Sequence, residues 1–224
     1  MNILSATQIR EADAFTIKNE PISSVDLMER AATKCFDWLE KNYQKDNSFA
    51  VFCGVGNNGG DGLVIARLLK KAGYQVEVFV LEFSKKYSAD FQVNLDRLKE
   101  LELVPVFLTE ANHSLSIKEK SIVIDAIFGL GLTRPISGFI AEIISQINQN
   151  EIIAIDIPSG LYVEDNRAND GEKVKAKYTL TFQIPKLAMM FPSNYEFVGE
   201  WHVLDIGLNK SFIAAQDTKY YALS

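Results

Sequence analysis

The chain has 224 residues, 47% of them apolar and 23% charged, a balance that excludes a disordered tail protein and favours one large domain able to bury roughly 70% of its unfolded surface. Lys+Arg 23 against Asp+Glu 29 leaves a net charge of −6, a field that repels phosphate backbones and anionic lipid heads, so no nucleic acid and no membrane is expected as a partner. Two cysteines, Cys35 and Cys53, exclude a disulfide framework, and His113 and His202, far apart in sequence, argue against a zinc site.

The opening MNILSATQIREAD shows neither a basic-then-apolar signal nor an Arg-rich transit pattern. No uncharged apolar run approaches the roughly 18 residues of a membrane span, and a reducing, cytoplasmic setting is expected. Two amphipathic segments come first. In the second, Ser23 with Asp26 forms a capping pair ahead of Leu27, Met28, Ala31, Ala32, Cys35, Trp38 and Leu39 at helical spacing, a stripe that suits core packing.

From Ser48 onward short apolar runs alternate with helical patterns. Strands are predicted near Phe49–Gly54, Gln75–Leu81, Val104–Leu108, Ser121–Asp125, Ile152–Asp156, Tyr178–Gln183 and Trp201–Asp205, with helices near Gly62–Ala72, Ala89–Leu101 and Gly138–Asn148. Right-handed crossovers then give a doubly wound three-layer α/β/α sandwich with a mostly parallel sheet, the N-terminal helices lying on one face or one end. One domain is expected over residues 1–208. The stretch Asn209–Ser224 loses periodicity and is expected to be a C-terminal tail or the stub of a linker.

Ligands of an open parallel sheet bind beyond the carboxyl ends of its strands. Three such ends stand out. The first is GVGNNGGDG over Gly54–Gly62, whose glycines permit positive φ angles and close approach of backbone N–H groups to a ligand. Asn57, Asn58 and Asp61 add oxygen-bearing side chains that suit orienting a ligand or binding a hard cation. No Lys-Ser/Thr follows, so the run is not a Walker loop.

The second end is VIDAIFGLG, continuing to Thr133, Arg134 and Pro135; a carboxylate closing an apolar strand, Asp125, requires a pair, hydrogen bonds or a cation. The third is AIDIPSG, where Asp156 closes a strand and Pro158-Ser159-Gly160 presents a hydroxyl. Ser159 lacks a nucleophile elbow and an evident histidine partner, so it suits an oxygen donor better than a nucleophile. Lys186, directly behind a strand and a proline, is equally compatible with phosphate contact and with solvent.

These motifs, GNNGGDG, DAIFGLG and DIPSG in this order, with LMERAA before them and GEWHVLDIGL after, resemble the YjeF N-terminal domain family, the NAD(P)H-hydrate epimerases. The resemblance runs from about Leu4 to Leu208 and implies a Rossmann-like fold, a homodimer, and an isomerase of nicotinamide cofactor repair that interconverts the R and S epimers of NADHX and NADPHX. It implies that Asn57, Asn58, Gly59, Gly60 and Asp61 line the hydrate site. Gly129, Leu130, Gly131, Leu132, Thr133, Arg134, Pro135 and Asp156 are implied as further substrate contacts, and Asn58, Asp125 and Ser159 as ligands of a potassium ion. The family also occurs with a dehydratase, separate or fused.

For the acid–base work Asp156 is the first candidate and Asp125 the second, because a cation would hold Asp125 as an anion. Two other functions fit the same glycine loop and sheet. One is an NAD(P)-dependent oxidoreductase, which would change nicotinamide absorbance; the other is a non-catalytic nucleotide-binding module, which would bind without changing the epimer ratio.

Overall fold

A computed structural model describes residues 2–221. In it the chain runs β1 (Asn2–Ile3), α1 (Ala6–Asn19), α2 (Ser24–Asn42), β2 (Ser48–Cys53), α3 (Asn57–Lys71), β3 (Gln75–Leu81), α4 (Ala89–Lys99), β4 (Val106–Leu108), β5 (Ile122–Ala126) and α5 (Phe139–Ile147), then β6 (Ile152–Ile155), β7 (Tyr178–Phe182), α6 (Tyr195–Val198), β8 (Glu200–Leu204), α7 (Lys210–Ala214) and β9 (Tyr220–Tyr221). No helix among the described residues is long and apolar enough to cross a membrane.

Strands β2, β5 and β6 are buried at every position, as strands covered by helices on both faces must be. They form the middle of a seven-stranded sheet of order β4-β3-β2-β5-β6-β7-β8 in which every pairing is parallel. From β2 the chain steps through α3 to β3 on one side, and from β5 it steps through α5 to β6 on the other. Right-handed crossovers therefore place α3 and α5 on opposite faces. One face packs Met28, Cys35 and Leu39 of α2 with Leu63 and Leu69 of α3 and Phe91 and Leu98 of α4. The other packs Ile143, Ile144 and Ile147 of α5 on Ala50, Phe52, Val123 and Ile152. Strand order reverses between β2 and β5, which opens a crevice at their carboxyl ends.

The predicted cap of α2 is present: Ser23 Oγ accepts from Asp26 N at 3.1 Å. Helix α1 lies at the carboxyl end of the sheet, not on a face. Ile9 packs with Leu4, Ile184 and Leu130, Arg10 Nη2 donates to Leu130 O at 2.8 Å, and Asn209 N donates to Thr16 Oγ1 at 3.0 Å. The segment expected as a tail carries α7 and β9, and β9 pairs antiparallel with β1; its residues 222–224 lie outside the described residues.

The GNNGGDG run departs from its expected form. Helix α3 begins at Asn57, five residues before the predicted start, so Asn57–Asp61 are helical. Glycine and asparagine are poor helix formers, but here packing against the sheet outweighs propensity. Nor do the glycines of this run occupy positive φ. Their requirement is close approach: a Cβ on Gly59 would stand 1.8 Å from Gly54 O, and one on Gly54 would stand 2.0 Å from Ile127 O. Strand ends elsewhere shift by a residue or two; β4 is cut to Val106–Leu108, and β6 stops at Ile155, leaving Asp156 outside the ladder.

Candidate active site

The carboxyl ends of β2, β3, β5, β6 and β7 surround a cleft of about 660 Å³. Gly56 follows β2, Phe83 follows β3, Phe128 follows β5 and Asp156 follows β6. Helix α3 adds Asn57, Asn58 and Asp61, α1 adds Arg10 and Asp13, and the turn after β3 adds Ser84, Lys86, Tyr87 and Ser88.

Of the predicted site residues, Asn57, Asn58, Asp61, Gly129, Leu130, Gly131, Leu132 and Asp156 line this cleft, whereas Thr133, Arg134 and Pro135 do not. Gly59 and Gly60 are buried against Gly54 and Met28 and do not line it either. Asp125 and Ser159, both fully buried, sit one contact behind the wall, since Ser159 Oγ accepts from Phe128 N at 2.8 Å.

Asp125 accepts three hydrogen bonds. Ser159 N reaches Oδ2 at 2.7 Å, while Ser159 Oγ and Ile127 N reach Oδ1 at 2.6 and 3.2 Å. Among the described residues no cationic side chain pairs with it. Burial pushes its carboxyl up to about 6, against the lowering effect of those three donors. Asn58 packs on Gly129, where a Cβ would come within 3.3 Å of Asn58 Cβ and Cγ, and Asn58 Nδ2 is buried with no hydrogen-bond partner. Turning that amide over exchanges Nδ2 for Oδ1. Asn58 thus meets Gly129, its neighbour Phe128 meets Ser159, and Ser159 meets Asp125, so the three strand-end turns converge.

An amide oxygen, a hydroxyl and a carboxylate, with one orphaned buried amide and one buried carboxylate lacking a counter-charge, fit a hard cation. Neither histidine serves Ser159 as a base: His113 contacts Glu142 at 3.1 Å, and His202 lies tilted against Trp38 with ring centroids 5.2 Å apart.

Asp156 takes a left-handed backbone conformation, φ +67°, at a cost of about 1–3 kcal/mol for a non-glycine residue. Its Oδ1 accepts from Phe182 N at 3.2 Å and from the ammonium of Lys186. Lys186 is neither solvated nor open to a phosphate. It is 0% exposed, and Thr181 Oγ1 at 2.8 Å with the carbonyls of Phe182 and Ile184 at 3.3 Å complete its shell. Two more carboxyls share the cleft. Burial, then the charges of Asp156 and Asp13, push Asp61 well above the usual carboxylate range. Burial, then Asp156, push Asp13 up to about 6, with Lys186 opposing.

At the mouth Phe83 and Phe128 lie 5.0 Å apart, centroid to centroid. Helix α3 has Gly56 as its N-cap, with no side-chain cap, and its first intrahelical bond, Gly60 N to Gly56 O, leaves the preceding N–H groups without intrahelical acceptors at the cleft.

Arg10, Asp13 and the turn Phe83–Ser88 were not legible as site residues. The turn follows a strand end, a usable signal; Asp13 sits in a helical pattern where an acid ordinarily marks a solvent face.

Fold and cleft together define a doubly wound α/β protein whose ligand crevice opens at the topological switch point, with oxygen donors brought in by three strand-end turns. Residues 24–188 match the family described as YjeF-related protein N-terminus. The chain belongs to that family.

It is 36% identical over 204 residues to the NAD(P)H-hydrate epimerase of Limosilactobacillus fermentum, covering 90% of this chain and 95% of that protein. With the NAD(P)H-hydrate epimerase of Anaerococcus prevotii it shares 36% over 222 residues, 96% and 99% of the two chains. It is also 32% identical over 225 residues to the bifunctional NAD(P)H-hydrate repair enzyme Nnr of Moorella thermoacetica, which it matches over 96% of its own length and 42% of the relative's. The chain thus spans less than half of the bifunctional relative and nearly all of the two epimerases. A crystal structure of yeast ynu0, YNL200c, superposes with a TM-score of 0.74 at 19% identity, covering 100% of this chain and 98% of that one, a likeness of fold.

Proposed function

We propose that the protein interconverts the R and S epimers of hydrated NADH and NADPH, as an isomerase of nicotinamide cofactor repair. The observation that carries this reading is the convergence of the GNNGGDG, DAIFGLG and DIPSG turns on one cleft, in a chain matching named epimerases over almost their whole length.

The uncapped start of α3 offers N–H groups and a positive helix end to the substrate's pyrophosphate, which the net charge of −6 would otherwise repel. Phe83 and Phe128 offer apolar faces to a ring, and Asn57, Asp61 and the Gly129–Leu132 turn border the hydrate. Asn58, Asp125 and Ser159 would hold a potassium ion, which would supply the positive charge that the buried Asp125 carboxylate lacks.

Epimerisation needs the ring nitrogen's lone pair to expel the hydroxyl and leave a planar, iminium-like carbon that water re-enters from either face. Asp156 is the acid–base group in reach, because Lys186 and Phe182 N anchor its Oδ1 and leave Oδ2 for the proton. Asp125 is the less suited of the two acids, fully buried and occupied by Ser159.

The catalytic unit is taken as residues 1–208, with 209–224 as an appended segment, acting as a homodimer in the cytoplasm. Its two cysteines, buried and unpaired, suit that reducing setting. A dehydratase acting on one epimer is its natural companion, since some relatives are bifunctional repair enzymes by name.

The test supplies the R epimer with an S-specific dehydratase and adds this protein. Faster consumption of the R epimer supports the reading. No acceleration overturns it, and a change in nicotinamide absorbance with added NADH alone would favour the oxidoreductase.

A further inference from the structure

Helix α1 delivers a carboxyl group to the cleft that belongs to none of the three motifs. Asp13 stands one turn beyond Ile9 and Arg10. Ile9 packs on Leu130 and Ile184, and Arg10 is tied to Leu130 O, so the same face of α1 turns Asp13 toward Asp156 and the turn that carries Lys186. We propose that Asp13 is a second acid–base group of the epimerisation, working on the hydroxyl-bearing carbon in partnership with Asp156; this rests on the epimerase reading above.

The two carboxyls are differently equipped. Asp156 is held at Oδ1 by an ammonium and a backbone N–H, which leaves Oδ2 to take a proton from the entering water and suits the base. The Asp13 carboxyl makes no hydrogen bond among the described residues. Burial raises its carboxyl most, the charge of Asp156 adds to that and Lys186 opposes, so it holds a proton near the operating range of a general acid. Asp61 is the competing candidate, but it is more deeply enclosed than Asp13, within the first turns of α3.

The step balances. Asp13 gives its proton to the departing hydroxyl, the C–O bond breaks with its electron pair leaving as water, and the ring nitrogen fills the vacancy. A second water then forms the new C–O bond from the other face and yields its surplus proton to Asp156. One C–O bond is lost and one gained, nothing is oxidised, and the proton moved from Asp13 to Asp156 is restored through the solvent-open cleft. In the reverse direction the two carboxyls exchange duties, as microscopic reversibility requires.

The experiment compares wild type, Asp13→Asn and Asp13→Ala on chemically hydrated NADH, with and without roughly 0.1 M formate, while thermal midpoints confirm folding. Loss of a general acid predicts a fall in kcat of about 100-fold or more in both variants, with KM within about threefold. Formate, small enough to fill the space left in Asp13→Ala and protonated in part when the comparison is run at about pH 5, is expected to restore kcat at least about tenfold in that variant and in neither of the others. Turnover within about threefold of wild type in Asp13→Asn overturns the proposal. So does loss in both variants without formate rescue, which would make Asp13 scaffolding. Absence of epimerisation in the wild type would instead bring down the parent reading and is seen before any variant is compared.

Discussion

The buried ammonium of Lys186 rests on Oδ1 of Asp156, a residue whose own backbone is held at φ +67°. A lysine with no exposed surface is stable only when paired, and the pair fixes where Asp156 directs its remaining oxygen. Asp156→Asn keeps the left-handed conformation accessible, because Asn tolerates it, and keeps an acceptor for Lys186. Epimerisation is expected to disappear while binding of the hydrate, read by equilibrium titration, stays within about threefold. Retained turnover would remove Asp156 from acid–base duty.

Lys186→Met leaves the anion of Asp156 nearly buried and unpaired. Breaking a buried pair in this way costs about 3–5 kcal/mol, so denaturant melts should show a loss of that size together with loss of turnover. A melt equal to wild type would mean that the pair contributes nothing to the fold.

Asp13 gives a pH signature. Its folded value of about 6 lies above its ordinary 3.8, so the folded chain holds this proton more tightly than the unfolded chain does. The resulting stability is complete below about pH 4 and is lost as pH rises through 6, amounting at most to about 3 kcal/mol and less with partial solvent screening. Burial is the largest influence on this value, with the charge of Asp156 raising it further and Lys186 opposing; Asp61 shares the cleft, and Arg10 stands one turn away on α1. Asp13→Asn should therefore match wild type at pH 4 and melt a few degrees higher at pH 8. An equal difference at both pH values would contradict the assignment.

If Asn58, Asp125 and Ser159 hold potassium, turnover should fall when tetramethylammonium replaces potassium in the assay. Ser159→Ala should blunt that response. The same change removes a donor to Asp125 and an acceptor for Phe128 N, a loss of about 1–3 kcal/mol. Activity indifferent to the cation in the wild type would argue for another role of this oxygen cluster.

Gly59→Ala tests the close approach. A methyl 1.8 Å from Gly54 O forces α3 away from the sheet, with an expected cost of at least about 1–3 kcal/mol and misplacement of Asn58. Unchanged stability would show that the helix start yields easily.

Much of the layout was open to a reader of the residues. Alternation of apolar runs with helical stretches, and the rule that ligands gather at strand carboxyl ends, already singled out Asn57, Asn58, Asp61, Asp125, Asp156 and Ser159. The GNNGGDG run misled in one respect: its glycines suggested a loop with unusual φ angles, and the structure shows a helix whose first turns press backbone against backbone.

What the sequence by itself determined was the order of the elements and the motifs at their ends, because periodicity, strand composition and glycine placement are local properties. Only the tertiary structure decided that Thr133, Arg134 and Pro135 stand outside the cleft, that Lys186 is buried on Asp156, and that α1 brings Asp13 beside them. The physical reason is that a charge is set by its neighbours in space. A lysine behind a proline and an acid in a helix look solvent-exposed along the chain until packing removes the water around them.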